Sequence, residues 1–282
     1  MQKNEKHTEM KIILMTLATL LMVAASCKKS DDPTLPFTER QIDLTTHKLA
    51  SFSGFKNSKY LVVFESGAGN DHTVWTNKGV ATQINSNFDV LMYDRAGYGK
   101  SENGPTPRNI DRLRSELEIV INKFSNGRKV ILIGHSLGGL IIRDYAIKNP
   151  LKTAALLFVD PSHEFYNKPS QADEDLLYET AKNAGGANSG VALEIREFIE
   201  DLKYTSTLPS LPNVPVIVLT SMKMDDSHSQ SDKQTFYDAH ELLKNGVTDF
   251  THITTTKSGH FIMLDEPALV TDNFNLLISK LP

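Results

Sequence analysis

A serine placed between a buried apolar run and a helix-forming run constrains this chain most. Val130-Ile131-Leu132-Ile133 is apolar throughout, Gly134-His135-Ser136-Leu137-Gly138-Gly139 follows, and Leu140-Ile141-Ile142 opens a second apolar stretch. An uninterrupted apolar run of this length reads as a strand buried on both faces, the kind found in parallel sheets covered by helices. Glycines on both sides of the turn let the backbone take a strained geometry and let strand and helix approach closely. A serine held at such a turn projects its hydroxyl above the sheet edge, and the next backbone N–H points at any oxyanion that forms beside it. Ser136 is therefore a candidate nucleophile and Leu137 a candidate oxyanion donor. The pattern Gly-x-Ser-x-Gly is weak alone, because a glycine-rich turn of any α/β protein matches it. The flanking strand and helix give it weight.

The rest of the chain supplies the strands and helices that such a turn needs. Residues 60–64, 88–93, 130–133, 154–159, 214–219 and 251–255 read as strands, and residues 41–49 as an early strand pair. Leu113, Leu117, Val120, Ile121 and Phe124 recur at helical spacing before the stop signal Asn126-Gly127. The helix after Ser136 runs to Lys148 and ends at Asn149-Pro150, and residues 265–280 close the chain as a helix. Alternating strands and helices predict an α/β fold, with a mostly parallel sheet and helices on both faces. Chemistry in such sheets collects at the carboxyl ends of the strands. Residues 162–211 break the alternation with two helical stretches, 171–183 and 191–203, and read as a helical lid within a single domain spanning residues 39–282.

A serine hydroxyl is a poor nucleophile until a base removes its proton, and histidine is the usual base. Of nine histidines, His260 stands out. Ser258-Gly259-His260-Phe261 follows the last strand, and Gly259 is expected to let the loop turn His260 towards the sheet end. Leu264-Asp265-Glu266-Pro267 then starts the final helix with acids and a proline in its first turn. His47, His240 and His252 fall inside predicted elements and read as packed or solvated. His135 shapes the turn beside the nucleophile, and His72, His163 and His228 lie on loops near strand ends.

With these residues the chain resembles the α/β-hydrolase superfamily over about residues 60–278. Asp94-Arg95-Ala96-Gly97-Tyr98-Gly99-Lys100-Ser101 is similar to the family's Asp-x-x-Gly-x-Gly-x-Ser segment, in which Asp94 and Arg95 organise the loop. The resemblance implies a serine hydrolase that needs neither metal nor organic cofactor. A third residue, a carboxylate, must orient the imidazole, and two places compete. Asp160, followed by Pro161, ends the 154–159 strand, where some lipases of the family carry the acid. More members carry it after the next strand in a Gly-x-x-Asp context. There this chain has Thr220-Ser221-Met222-Lys223-Met224-Asp225-Asp226, slightly long and without the glycine. Asp160 is favoured, with Asp225 or Asp226 as the alternative. The second oxyanion donor should come from Glu65-Ser66-Gly67-Ala68-Gly69-Asn70, where the family usually has His-Gly. Ala68 N–H is the matching donor, with Gly69 next.

The expected substrate is a small molecule with an ester or related acyl bond. A peptidase, thioesterase, C–C bond hydrolase or acyltransferase of the same fold is the alternative, as is a lipoprotein that binds without catalysis. Epoxide hydrolases and haloalkane dehalogenases of the family use Asp as nucleophile, which Ser136 argues against. The net charge is −4 with no long basic run, so nucleic acid is not an expected partner. The single cysteine, Cys27, rules out an intramolecular disulfide. Lys3, Lys6 and Lys11, the short apolar core of residues 12–23 and Ala24-Ala25-Ser26 precede that cysteine. They resemble a bacterial lipoprotein signal (residues 1–26), cut so that Cys27 becomes a lipidated terminus. Residues 27–38 then form a flexible tether, and the enzyme is held at a membrane surface in the cell envelope. An ordinary secretory signal, giving a secreted or periplasmic protein, is the alternative. The sequence leaves the oligomeric state open.

Overall fold

The computed structural model describes residues 36–166, 168–225 and 228–282. Eight strands form one sheet: β1 (Thr38–Asp43), β2 (Lys48–Gly54), β3 (Leu61–Glu65), β4 (Asp89–Tyr93), β5 (Val130–His135), β6 (Thr153–Val159), β7 (Val216–Ser221) and β8 (Phe250–Thr255). Their spatial order is β1-β2-β4-β3-β5-β6-β7-β8. β2 runs antiparallel to β1 and β4, and every other pairing is parallel. The chain leaves β3 for β4 on one side and returns for β5 on the other. The carboxyl ends of β3 and β5 therefore flank the point where the strand order reverses, and at such points an open sheet leaves a crevice for a ligand. The pair Glu65 and Gly134 closes the β3–β5 register there.

Helices cover both faces. α1 (Thr73–Thr76) and α2 (Val80–Ile84) follow β3, α3 (Ile110–Ser125) follows β4, and α4 (Leu137–Lys148) follows β5. α5 (Gln171–Gly185), α6 (Gly190–Ile195) and α7 (Phe198–Thr205) fill the insertion between β6 and β7. α8 (Gln230–Glu241) joins β7 to β8, and α9 (Ile262–Asp265) and α10 (Pro267–Ser279) end the chain. The apolar runs are continuous because alternate side chains serve two cores. Leu61, Val63, Val130 and Leu132 pack with Leu113, Leu117, Val120 and Ile121 of α3. Val62, Phe64, Ile131 and Ile133 pack with Trp75, Ala81, Val270 and Phe274 on the other face. Each such aliphatic side chain contributes about 1.5–3 kcal/mol when fully buried.

The helix ends have local causes. Asn109 accepts the Arg112 N–H at 3.1 Å to start α3, and Asn126 ends it at φ 50°. The expected 191–203 helix is two helices, broken at Arg196 and Glu197. The closing helix begins at Pro267, after the separate turn of α9. The element expected to hold His240 is α8, whose bounds no apolar period marks, since its buried positions are Lys233, Phe236, Ala239 and His240. Its legible signal was Ser229-x-x-Asp232, a reciprocal cap. Among the described residues no helix is long and apolar enough to cross a membrane. The signal segment and Cys27 lie outside the described residues.

Candidate active site

Ser136 links β5 to α4 at φ 52° and ψ −122°. A side-chain-bearing residue in such a region costs about 1–3 kcal/mol and persists only where its surroundings fix it. Those surroundings explain the flanking glycines. A Cβ at Gly134 would lie 2.7 Å from the Gly138 carbonyl oxygen and from Ile142 Cδ1, and one at Gly138 would collide with the Glu65 carbonyl. Neither glycine has a left-handed φ. They permit close approach of strand, helix and the β3 loop, while the serine itself carries the strain. The Ser136 carbonyl accepts the N–H groups of Gly139 (2.8 Å) and Ser162 (3.0 Å).

Asp160 meets His260. Its Oδ2 accepts from His260 Nδ1 at 2.7 Å, and its Oδ1 accepts the Ser221 N–H at 2.9 Å. Burial opposes ionisation of this carboxyl, but the hydrogen bond and positive charge of His260 outweigh it, and its pKa lies below the ordinary value. A carboxylate only accepts, so Nδ1 carries a proton, and in the neutral form of the ring Nε2 is the nitrogen left with a lone pair. Asp225 instead accepts from His228, from Nδ1 and from N–H at 2.9 Å each. Asp226 lies outside the described residues.

Two buried histidines brace this pair. His135 Nε2 donates to the His260 carbonyl at 3.0 Å, and their rings lie 4.5 Å apart. Burial, then the charge of His260, lowers the His135 pKa well below its usual value, so the ring is neutral. His240 Nε2 donates to the Pro161 carbonyl at 2.7 Å, next to Asp160, which sits at φ 43°. Behind it, His240 Nδ1 meets Thr220 Oγ1 (2.6 Å), Thr220 Oγ1 meets His252 Nε2 (2.7 Å), and His252 Nδ1 meets Glu241 Oε1 (2.5 Å). Burial pushes the His240 pKa down to about 4. Sequence reasoning missed His240, which it placed among packed or solvated residues.

The expected freedom of Gly259 is not what turns the His260 loop. Its φ is not left-handed, and a Cβ there would meet only Asp265 Oδ2 at 3.9 Å. The loop is shaped by Glu266, which accepts from the Thr255 and Ser258 hydroxyls, and by Asp265, which accepts the Gly259 N–H.

The loop after β3 is held from below by Arg95. This guanidinium donates to the Ser66 carbonyl (2.5 Å), the Gly67 carbonyl (3.0 Å) and Glu65 Oε1 (2.8 Å). It also forks onto Glu194 of α6, at 2.7 and 3.0 Å. Tyr98 donates to Glu194 at 2.6 Å, and Tyr93 donates to Glu65 at 2.6 Å. Burial pushes the Glu65 pKa up to about 7 against the pull of Arg95. Arg95 therefore does more than organise its own loop, since it ties the insertion to the loop that follows β3. The Gly69 N–H, expected as an oxyanion donor, donates instead to the Tyr98 hydroxyl at 3.1 Å. Ala68 keeps its place on the cavity wall.

Ser136, Leu137, Ala68 and His260 line one cavity. The insertion supplies Ile195, Phe198 and Leu202 to it, α8 supplies Phe236, and the segment after Asp160 supplies Pro161, Ser162, His163 and Tyr166. Of the loop histidines, His163 reaches the cavity. His72 stacks on Phe52 at 3.5 Å and pairs with Asp94 Oδ1 at 2.7 Å. Asp71, His72 and Asp94 form the one group of metal-ligand type among the described residues. Asp94 there also accepts the N–H groups of His72 and Lys100 at 2.9 Å each, which is the bonding of a loop organiser.

The chain belongs to the alpha/beta hydrolase fold family, whose sequence model matches residues 60–270. It is 25% identical over 214 residues to the uncharacterized protein YqjL of Bacillus subtilis strain 168, covering 76% of this chain and 81% of that one. The Cif epoxide hydrolase from Acinetobacter nosocomialis superposes with a TM-score of 0.69 at 15% identity, over 93% of this chain and 95% of that one. A thermophilic esterase from Thermogutta terrifontis gives 0.67 at 17% identity, over 86% and 98%. Neighbours with such different chemistries share the fold, so the reaction has to be read from the site.

Proposed function

We propose that this protein is a serine hydrolase that cleaves an ester or related acyl bond through an acyl-enzyme on Ser136. The reading is carried by the 2.7 Å bond between His260 and Asp160 on the wall of the cavity that holds the strained Ser136. His260 Nε2 takes the Ser136 proton as Oγ bonds to the acyl carbon. The oxygen of the tetrahedral intermediate is received by the N–H groups of Leu137 and Ala68, each worth about 3–4 kcal/mol in chemistry of this kind. Collapse of the intermediate breaks the bond to the leaving group, which takes the proton back from His260. A water then loses a proton to His260 and attacks the acyl carbon, releasing the acid and restoring the serine. Asp160 stabilises the imidazolium in both halves. An epoxide hydrolase is disfavoured, because that reaction uses a carboxylate nucleophile and the elbow carries a hydroxyl. The same proposal includes an anchor, a lipidated Cys27 that keeps the enzyme at a membrane surface.

Fluorophosphonate labelling tests the nucleophile. Wild-type protein should be labelled at Ser136 and should cleave p-nitrophenyl esters, while Ser136→Ala loses both with little change in Tm. A folded wild type left unlabelled at high probe concentration would sink the reading.

A further inference from the structure

The segment after Pro161 brings Ser162, His163 and Tyr166 to the cavity, alongside the apolar Ile195, Phe198 and Leu202. His163 is 2% exposed and also borders an outer groove lined by Arg143, Phe165 and Leu208. Its Nδ1 accepts the Phe165 N–H at 3.3 Å and lies 3.5 Å from Glu164 Oε2, a carboxylate oxygen that is itself held by Arg143 at 2.7 Å. Burial, then the charges of Arg143 and His240, push its pKa down to about 3, so the ring is neutral. A neutral imidazole that accepts at Nδ1 carries its one proton at Nε2. That N–H has no hydrogen-bond partner among the described residues, and it is not one of the partnerless atoms sealed from solvent. It is a donor open to the space beside it. Such a donor is costly to leave unpaired, and a ligand that accepts from it gains selectivity over one that does not.

The charges decide what kind of acceptor fits. The cavity lining contains no Lys or Arg, and its one carboxylate, Glu194, is bound by Arg95. Arg143 beside the outer groove is forked onto Glu164 at 2.7 and 3.0 Å. A carboxylate on the acyl chain would find no uncompensated cation there. Resting on the acyl-enzyme reading above, the geometry points to a substrate whose acyl group carries a neutral oxygen acceptor, a keto, ether or hydroxyl oxygen, received by His163 Nε2–H. The Tyr166 hydroxyl, also without a partner among the described residues, is the second donor on that wall.

The test compares p-nitrophenyl esters matched in shape: levulinate against 4-methylvalerate, and methoxyacetate against butyrate. Each kcat/KM is divided by the ester's rate with hydroxide, which removes intrinsic reactivity. Wild type should favour the oxygen-bearing ester of at least one pair by about tenfold. His163→Gln, which keeps an N–H donor, should retain most of that preference. His163→Leu should lower kcat/KM for the oxygen-bearing ester more than for its hydrocarbon partner, so that their ratio falls towards one. A wild type without preference in either pair overturns the inference whatever the variants do. So does a preference that survives in His163→Leu. Cleavage of none of the four esters, with Ser136 unlabelled, overturns the hydrolase reading and this one with it.

Discussion

Strain and the proposed nucleophile meet at Ser136. Its φ of 52° is tolerated because Gly134 and Gly138 let three backbone segments crowd together beneath it. Gly134→Ala would force its Cβ against the Gly138 carbonyl and Ile142. We expect a loss of about 1–3 kcal/mol in urea unfolding and a larger loss of turnover, since the elbow must shift to relieve the clash. The acid is tested at the same scale. Asp160→Asn keeps an acceptor for the Ser221 N–H but no longer fixes the imidazole, and kcat should fall by about four orders of magnitude. Asp225→Asn should stay within a few-fold of wild type, and the reverse pattern in ester assays would reassign the acid. Ser136, Leu137 and His260 were legible in the sequence as candidates because the first two follow β5, the third follows β8, and all need only local signals. Two features were not. The Gly69 N–H goes to Tyr98 and the Pro161 carbonyl to His240, 79 positions away. Pairings across such separations exist only once the sheet has assembled.

The insertion behaves as part of the body at its inner end. Glu194 of α6 is forked onto Arg95, and Asp201 of α7 accepts the N–H of Ile110 at the start of α3, at 2.8 Å. Removing one partner of a buried ion pair of this kind costs about 3–5 kcal/mol. α5 has no such tie to the sheet in this network and packs on α6 and α7. Burial, then the charges of Glu197, Glu194 and Glu174, push the Asp201 pKa up to about 8. The folded protein thus keeps that proton across a window in which the unfolded chain, with an ordinary carboxyl, has lost it. Stability from this group is full at about pH 4 and falls as pH rises towards 8. Asp201→Asn removes the term while keeping an acceptor for Ile110. Its Tm should exceed that of wild type most at pH 8–9 and converge with it at about pH 4 and below. Equal Tm differences at both pH values would contradict the assignment. The sequence revealed the insertion through its break in the strand–helix alternation. It hid the fastening, because Glu194 and Asp201 look like solvated helix acids until their burial is known.

For the whole molecule, the parallel sheet and its two cores follow from apolar runs that a single sequence displays openly. The order β4-β3-β5 does not, since pairing order is a property of the assembled sheet. The proposed anchor belongs to this scale too. Mass spectrometry of protein extracted from membranes should find an acylated Cys27 at the mature terminus, and an unmodified terminus elsewhere would remove the anchor from the model of how this enzyme is displayed. Behind the acid, the string from Pro161 to Glu241 has a consequence of its own. Both of its ends, a main-chain carbonyl and a carboxylate, only accept, and its four links need one hydrogen each. The Thr220 hydroxyl and two neutral imidazoles bring three. The string is therefore one hydrogen short, because burial lowers the His252 pKa and, against burial, the hydrogen bonds from His252 and Lys244 lower that of Glu241. Acid that protonates His252 or Glu241 supplies the missing hydrogen, so the charge state of that half-buried pair determines how firmly the turn bearing Asp160 is tied down.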